Sequence, residues 1–140
     1  MAGIKRTPAD IAFSLCIREA NDWVCNRCGT KYPERARGLE CSHHHGRGNW
    51  SIRFDPLNAE ALCTGCHFLE GGTQIRLDAC LNDEQQQILM EKKNDTSIGR
   101  EIRRTKGKGE IASHYRGEYE KMREKRLDGV TGPLTFVGWM

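Results

Sequence analysis

No stretch of the 140-residue sequence approaches the roughly 20 consecutive apolar residues that a membrane-spanning helix needs. The N-terminus also lacks the apolar core of a secretory signal, so a cytoplasmic protein is expected. Aromatic residues make up only 7% of the chain and hydrophobic residues 37%, which argues against a fold held by its hydrophobic core alone. Repeats and low-complexity segments are missing, and the length allows one domain. Cysteine, by contrast, is plentiful: seven residues, an odd number. In a reducing compartment that is a poor disulfide framework. Thiols there serve more often as metal ligands or as small buried hydrophobes.

The net charge of +3 is mild but unevenly spread. Residues 100–126 hold ten Lys/Arg against five Asp/Glu, a local balance of +5 that leaves −2 for the rest. A basic C-terminal third fits either contact with a polyanion or a solvated helix of mixed charge.

Four regions follow from the pattern: an N-terminal helix (1–22), a cysteine- and histidine-rich centre (23–75), a basic helical region (76–126) and an irregular tail (127–140). Thr7-Pro8-Ala9-Asp10 reads as a helix start, with Phe13, Cys16, Ile17 and Ala20 at helical spacing. The centre is turn-rich, with pieces of strand expected at 39–44 and 51–54, then a short apolar stretch at 59–62. After Gly71-Gly72 a helix is expected around Leu81–Met90, capped by Asn82 or Asp83, and the break at 94–96 would cap another. Gly107-Lys108-Gly109 reads as a flexible basic loop. Ile111, Tyr115, Tyr119 and Met122 form one stripe of a final helix over 110–126, read as its packing face. The tail ends in Phe136, Val137 and Trp139, which would dock onto something.

Cys25-x-x-Cys28 and Cys63-x-x-Cys66 are two knuckles separated by 34 residues. Zinc takes four tetrahedral sulfur ligands, and two such turns converging on one ion satisfy it, so a structural Zn²⁺ is expected here. Cys16 and Cys80 are read as buried small hydrophobes. The intervening insertion contains Glu40-Cys41-Ser42-His43-His44-His45-Gly46-Arg47, and Asn58 precedes a histidine, His67, directly after the second knuckle. Three successive histidines also fit a solvated turn or an adventitious metal-binding tract.

The order His-His … Asn … Cys-x-x-Cys-His resembles that of the HNH endonucleases. Phosphodiester hydrolysis needs a base to deprotonate water and a cation to neutralise the leaving oxygen, roles suited to imidazole and to Mg²⁺ or Mn²⁺. The resemblance implies an α+β, zinc-stabilised ββα-metal core (His-Me finger) with an N-terminal helix and C-terminal helices. A histidine on the hairpin would be the base, Asn58 would brace the hairpin loop, and His67 would ligate the catalytic cation.

Phe13-Ser14, Cys25-x-x-Cys28-Gly29, Ser42-His43, Arg47, Arg53-Phe54-Asp55-x-x-Asn58, Cys63-x-x-Cys66 and Gly71-Gly72-Thr73-Gln74 come in the order of the NinG/Rap family of phage recombination nucleases. This narrower resemblance covers roughly residues 10–125. It implies a structure-selective endonuclease acting on branched DNA such as a Holliday junction, encoded by a phage or prophage. The chain departs from that family at two places. His67 stands where the family usually has asparagine, and Glu40-Cys41-Ser42-His43 stands where it tends to have Asp-Ala-Gly-His. Aligned on the family, His43 is the base. Aligned on HNH enzymes generally, His43 is a metal ligand and His44 the base. Glu40 is an outside candidate for the metal shell.

Arg47, Arg53, Arg100, Arg103, Arg104, Lys106 and Lys108 are the expected phosphate contacts, which position DNA without reading its sequence. A homodimer is expected, because cutting both strands of a branch needs two sites. Two other readings stay open: a non-catalytic zinc-ribbon DNA-binding or adaptor protein, and a weakly selective HNH nuclease for packaging or host-DNA degradation.

Overall fold

The computed structural model describes residues 5–104 and 108–139. Among them, six α-helices and one two-stranded antiparallel sheet run in this order: α1 (Pro8–Ala20), β1 (Leu39–His43), β2 (Ala59–Cys63), α2 (Thr64–Glu70), α3 (Gln74–Cys80), α4 (Asp83–Asn94), α5 (Thr96–Arg104) and α6 (Lys108–Leu127). The fold is α+β. No described helix is long and apolar enough to cross a membrane.

Helix α1 begins where its sequence says it should. The Thr7 hydroxyl accepts from the Asp10 N–H, and the Asp10 carboxylate accepts from the Thr7 N–H at 2.7 Å, a reciprocal cap with Pro8 in the first turn. The inward residues Ala9, Ala12, Phe13, Cys16 and Ile17 share one core with Ile111, Ala112, Tyr115, Tyr119 and Met122 of α6. The stripe on α6 is thus a packing face.

Charge completes that seam. Glu19 is fully buried and accepts from Trp23 Nε1 at 3.0 Å, Arg123 Nη1 at 3.0 Å and Arg126 Nε at 3.4 Å. Two members of the basic C-terminal segment therefore serve the fold. Glu19→Ala leaves the Arg126 side chain, only 8% exposed, with the more distant Asp22 carboxylate at 3.6 Å as its counter-charge. A loss of about 3 kcal/mol, the lower end for a broken buried pair, is expected, read as a lower urea midpoint with the slope unchanged.

The sheet pairs Leu39 with Cys63 through to His43 with Ala59. Its second strand is not the one expected at 51–54. Ile52, Arg53 and Phe54 are buried in succession, without the in–out alternation of a strand, so this segment turns across the core. The apolar stretch after Asn58 supplies the strand instead. Antiparallel pairing sets the second knuckle, at the end of β2, beside the start of β1, and α2 follows at once.

Helix α3 was not expected from sequence. Arg76 and Leu77 are its only buried side chains, too little apolar periodicity to detect. Asn82 caps α4 reciprocally with Gln85, and α5 begins at Thr96 after the break at 94–96. Lys108 and Gly109, expected in a loop, lie in the first turn of α6, while Gly107 lies outside the described residues. Cys16 is buried as expected and donates to the Tyr115 carbonyl at 3.1 Å, but Cys80 is only half-buried.

The tail is irregular and docks on the chain's own core. The Leu134 N–H donates to the Ala20 carbonyl at 2.7 Å and the Trp139 N–H to Tyr115 Oη at 3.1 Å. Leu134, Phe136 and Trp139 pack there, so the apolar end offers little to a second protomer.

Candidate functional site

The two knuckles converge. Cys25, Cys28, Cys63 and Cys66 have their sulfurs within 4.8 Å of one another, and Cys28 Sγ lies 3.9 Å from Cys63 Sγ. Four sulfurs around a tetrahedral zinc at bonds of about 2.3 Å stand about 3.8 Å apart, so the cluster has the dimensions to hold the ion. Each knuckle also folds its backbone onto its first sulfur. The Cys28 N–H donates to Cys25 Sγ at 3.5 Å and the Cys66 N–H to Cys63 Sγ at 3.4 Å.

These donors favour thiolates. Hydrogen bonds from Thr30 hold the Cys28 thiol down at about 6, and the Cys66 N–H lowers Cys63. Arg27 donates to Cys66 at 3.3 Å, but burial and the neighbouring sulfurs outweigh it and push that thiol up to about 11. Four sulfurs this close cannot all shed protons unaided. A divalent cation among them removes that conflict, which is the chemical test the cluster passes.

Beside β1 lies a cavity of about 750 Å³. Its wall includes Glu40, His43 and His67 together with Arg6, Arg18, Arg35, Arg37 and Arg47. Helix α2 delivers His67, whose Nδ1 lies 2.9 Å from Glu40 Oε1 across from β1. His43 packs its ring 5.8 Å from that of Phe13, and its Nε2 lies 3.0 Å from the Arg53 carbonyl oxygen. A carbonyl only accepts, so Nε2 carries the proton and Nδ1 the lone pair. Cys41 lines the same wall, with its thiol pushed up to about 12 by burial.

Burial also pushes His43 down, to about 4, against the opposing effect of the Arg53 carbonyl. An unfolded histidine binds its proton near 6.5, so in the window between those values the unfolded chain binds more protons than the folded one. The stability that neutral His43 contributes is therefore full above about pH 6.5 and lost as pH falls toward about 4. The urea midpoint of the wild type should fall more steeply across that window than that of His43→Phe.

Asn58 is fully buried and braces the loop that follows β1. Its Oδ1 accepts from the His45 N–H at 2.9 Å, and its Nδ2 donates to the His45 carbonyl at 2.9 Å and the Ile52 carbonyl at 3.2 Å. His44 does not share the cavity. Adjacent strand residues face opposite sides, so its ring turns toward Glu60 and Cys80 and is 6% exposed. Of the two histidines expected to serve as base, the cavity lining holds His43 beside His67 and not His44.

Arg53 is a second correction. Expected to meet phosphate, it is 0% exposed, and its Nε and Nη2 grip the two Asp10 carboxylate oxygens at 2.9 and 2.7 Å. It also lies over Trp50, with 4.2 Å from Cζ to the ring centroid. Arg53 is a buried strut between α1 and the loop, out of reach of a ligand. Arg47 lines the cavity, and Arg100 and Arg103 are exposed on α5. Lys106 lies outside the described residues, as do the side chains of Arg104 and Lys108. Sequence reasoning missed Arg6, Arg18, Arg35 and Arg37, which are scattered along the chain and converge only through the fold.

Gly71 protects His67. A Cβ there would meet His67 Cδ2 at 2.2 Å and the His67 carbonyl oxygen at 2.5 Å. Gly71→Ala must displace that imidazole. Loss of the His67–Glu40 contact is expected, with metal content of the four-cysteine cluster unchanged, checked by the His67 imidazole NMR signals beside metal analysis. On the same helix, Phe68 is 89% exposed and Leu69 is exposed as well.

The chain matches no protein-family model, no curated protein and no solved structure.

Proposed function

We propose that the chain is a zinc-stabilised, metal-dependent DNA endonuclease of the HNH type, in which β1, β2 and α2 form the ββα-metal core. The observation that carries this reading is the convergence of Glu40, His43 and His67 on one arginine-lined cavity. Zinc on the four cysteines fastens the knuckles and so fixes where α2 starts, three residues before His67. Glu40 and His67 are the carboxylate and imidazole that would hold Mg²⁺ or Mn²⁺. That ion, when bound, supplies Lewis-acid neutralisation of the phosphodiester oxygens.

The rest is done by the chain itself. His43, neutral at physiological pH, takes a proton from water at Nδ1 while the Arg53 carbonyl holds its other nitrogen. Asn58 fixes the loop from which that carbonyl comes. Arg6, Arg35 and Arg37, exposed at the cavity wall, bind backbone phosphates without reading bases. Phe68 and Leu69, beside His67, suit unstacked bases at a branch better than an intact duplex. This favours branched recombination intermediates as substrate, in a phage or prophage setting within the bacterial cytoplasm, with a homodimer cutting paired strands.

The test is cleavage of a four-way junction and a linear duplex with Mg²⁺ or Mn²⁺. Binding without cutting under every divalent ion would make the chain a zinc-ribbon DNA-binding module. Equal cutting of both substrates would make it a weakly selective nuclease.

A further inference from the structure

His44, Glu60 and Cys80 offer an imidazole nitrogen, a carboxylate oxygen and a sulfur within 4.8 Å of one another. They come from three places: the residue after β1, the second residue of β2 and the last residue of α3. None belongs to the cysteine cluster or to the arginine-lined cavity. Among the described residues, the buried side-chain polar atoms without a hydrogen-bond partner are Ser42 Oγ and the two ring nitrogens of His44. His44 is 6% exposed, so water does not reach it freely. A buried imidazole without a partner at either nitrogen calls for a missing one.

We infer that His44, Glu60 and Cys80 form a second zinc site, separate from the four-cysteine site. The donor set suits the ion: one imidazole, one carboxylate and one thiolate make a borderline-soft, three-ligand site with a fourth position open to water. A carboxylate has about four lone-pair positions. At Glu60, Oε1 accepts from Arg76 Nη2 at 2.7 Å and Asn26 Nδ2 at 3.0 Å, Oε2 accepts from Arg76 Nε at 3.0 Å, and the Cys80 thiol also donates to this carboxylate. Loss of the Cys80 proton on binding frees the position it occupies for a metal.

The surrounding donors already have the form of an outer shell. Asn26 Nδ2 lies 3.5 Å from Cys80 Sγ and Arg76 Nη2 lies 4.0 Å from it, aimed at the sulfur that must become a thiolate. Burial opposes the charge on Glu60, but the bonds from Arg76 and Asn26 outweigh it and keep the carboxylate ionised. Cys80 starts as a neutral thiol, pushed up to about 12 by burial and by the Glu60 charge. Binding therefore exchanges the Cys80 sulfur–hydrogen bond for a sulfur–zinc bond and releases one proton to solvent. Asn26 lies inside the first knuckle, so the two metal sites share a wall.

The experiment starts from full-length protein carrying one zinc after mild chelation. Added Zn²⁺ should bind as one further equivalent, and Co²⁺ in its place should add a sulfur-to-cobalt charge-transfer band. His44→Phe, which keeps the ring volume, and Cys80→Ser should both keep the wild-type circular dichroism and the first zinc. Both should take up no second equivalent, and Cys80→Ser should show no added band. The inference is overturned if the one-zinc wild type binds no second equivalent. Uptake in both variants equal to wild type, as the exposed histidines and carboxylates would give, overturns it as well.

Discussion

Cys63→Ser is expected to leave the chain unfolded. Serine is a far poorer zinc ligand than thiolate, and Cys63 has two further jobs: it closes β2 and caps α2 by accepting the Cys66 N–H at 3.4 Å. Structural zinc contributes on the order of 10–16 kcal/mol of apparent binding free energy, against a typical domain stability of about 5–15 kcal/mol. This chain has little to set against such a loss. Its core is a seam between α1 and α6 with the sheet at one end, and the 34 residues between the knuckles are mostly turn and loop. Circular dichroism should show loss of the cooperative thermal transition in Cys63→Ser, and in the wild type on prolonged chelation. A transition in the variant within a few degrees of the wild type would mean that the cysteines do not hold the fold through a metal.

His43→Ala should abolish most cleavage with the fold intact. A positioned base contributes about 10²- to 10⁴-fold in rate. His43 is the histidine of the triplet that lines the cavity with Glu40 and His67. Its Nε2 bond to the Arg53 carbonyl assigns the lone pair to Nδ1. The rate constant should fall by that factor while DNA affinity, set by arginine–phosphate contacts, changes little. Free imidazole should restore part of the rate by filling the space left by the side chain. His44→Ala, on the opposite side of the strand, should cost far less. Comparable losses in both variants, without rescue of His43→Ala, would contradict the assignment of the base.

The parts legible in the sequence were those fixed by short-range chemistry. The α1 cap, the two knuckles, the α6 stripe and the caps of α4 and α5 are each set by residues within one or two turns. The second strand was misplaced because Ser51-Ile52-Arg53-Phe54 reads as extended, although its burial serves the core and not a ladder. Arg53 looked like a phosphate ligand because nothing local reveals Asp10, 43 residues earlier, as its partner. The same limit hid the cavity: Arg6, Arg18, Arg35 and Arg37 are unremarkable singly and meet only when α1 packs beside β1. Helix α3 has too few buried residues to show a period, and with it the proximity of Cys80 to His44 was invisible. The choice between His43 and His44 needed the direction of two adjacent side chains, which alternation along a strand divides but does not label.

The central claim is that Glu40, His43 and His67 act together on DNA with a divalent cation. The most direct measurement is cleavage by purified wild type, His43→Ala and His67→Ala of a labelled four-way junction and a matched linear duplex, with Mg²⁺, with Mn²⁺ and with chelator. The account predicts metal-dependent cutting of the junction by wild type, faster than of the duplex, and cutting lowered at least about 10²-fold in both variants. Wild-type protein that binds both DNAs and cuts neither with any divalent ion, or variants that cut as wild type does, would contradict it.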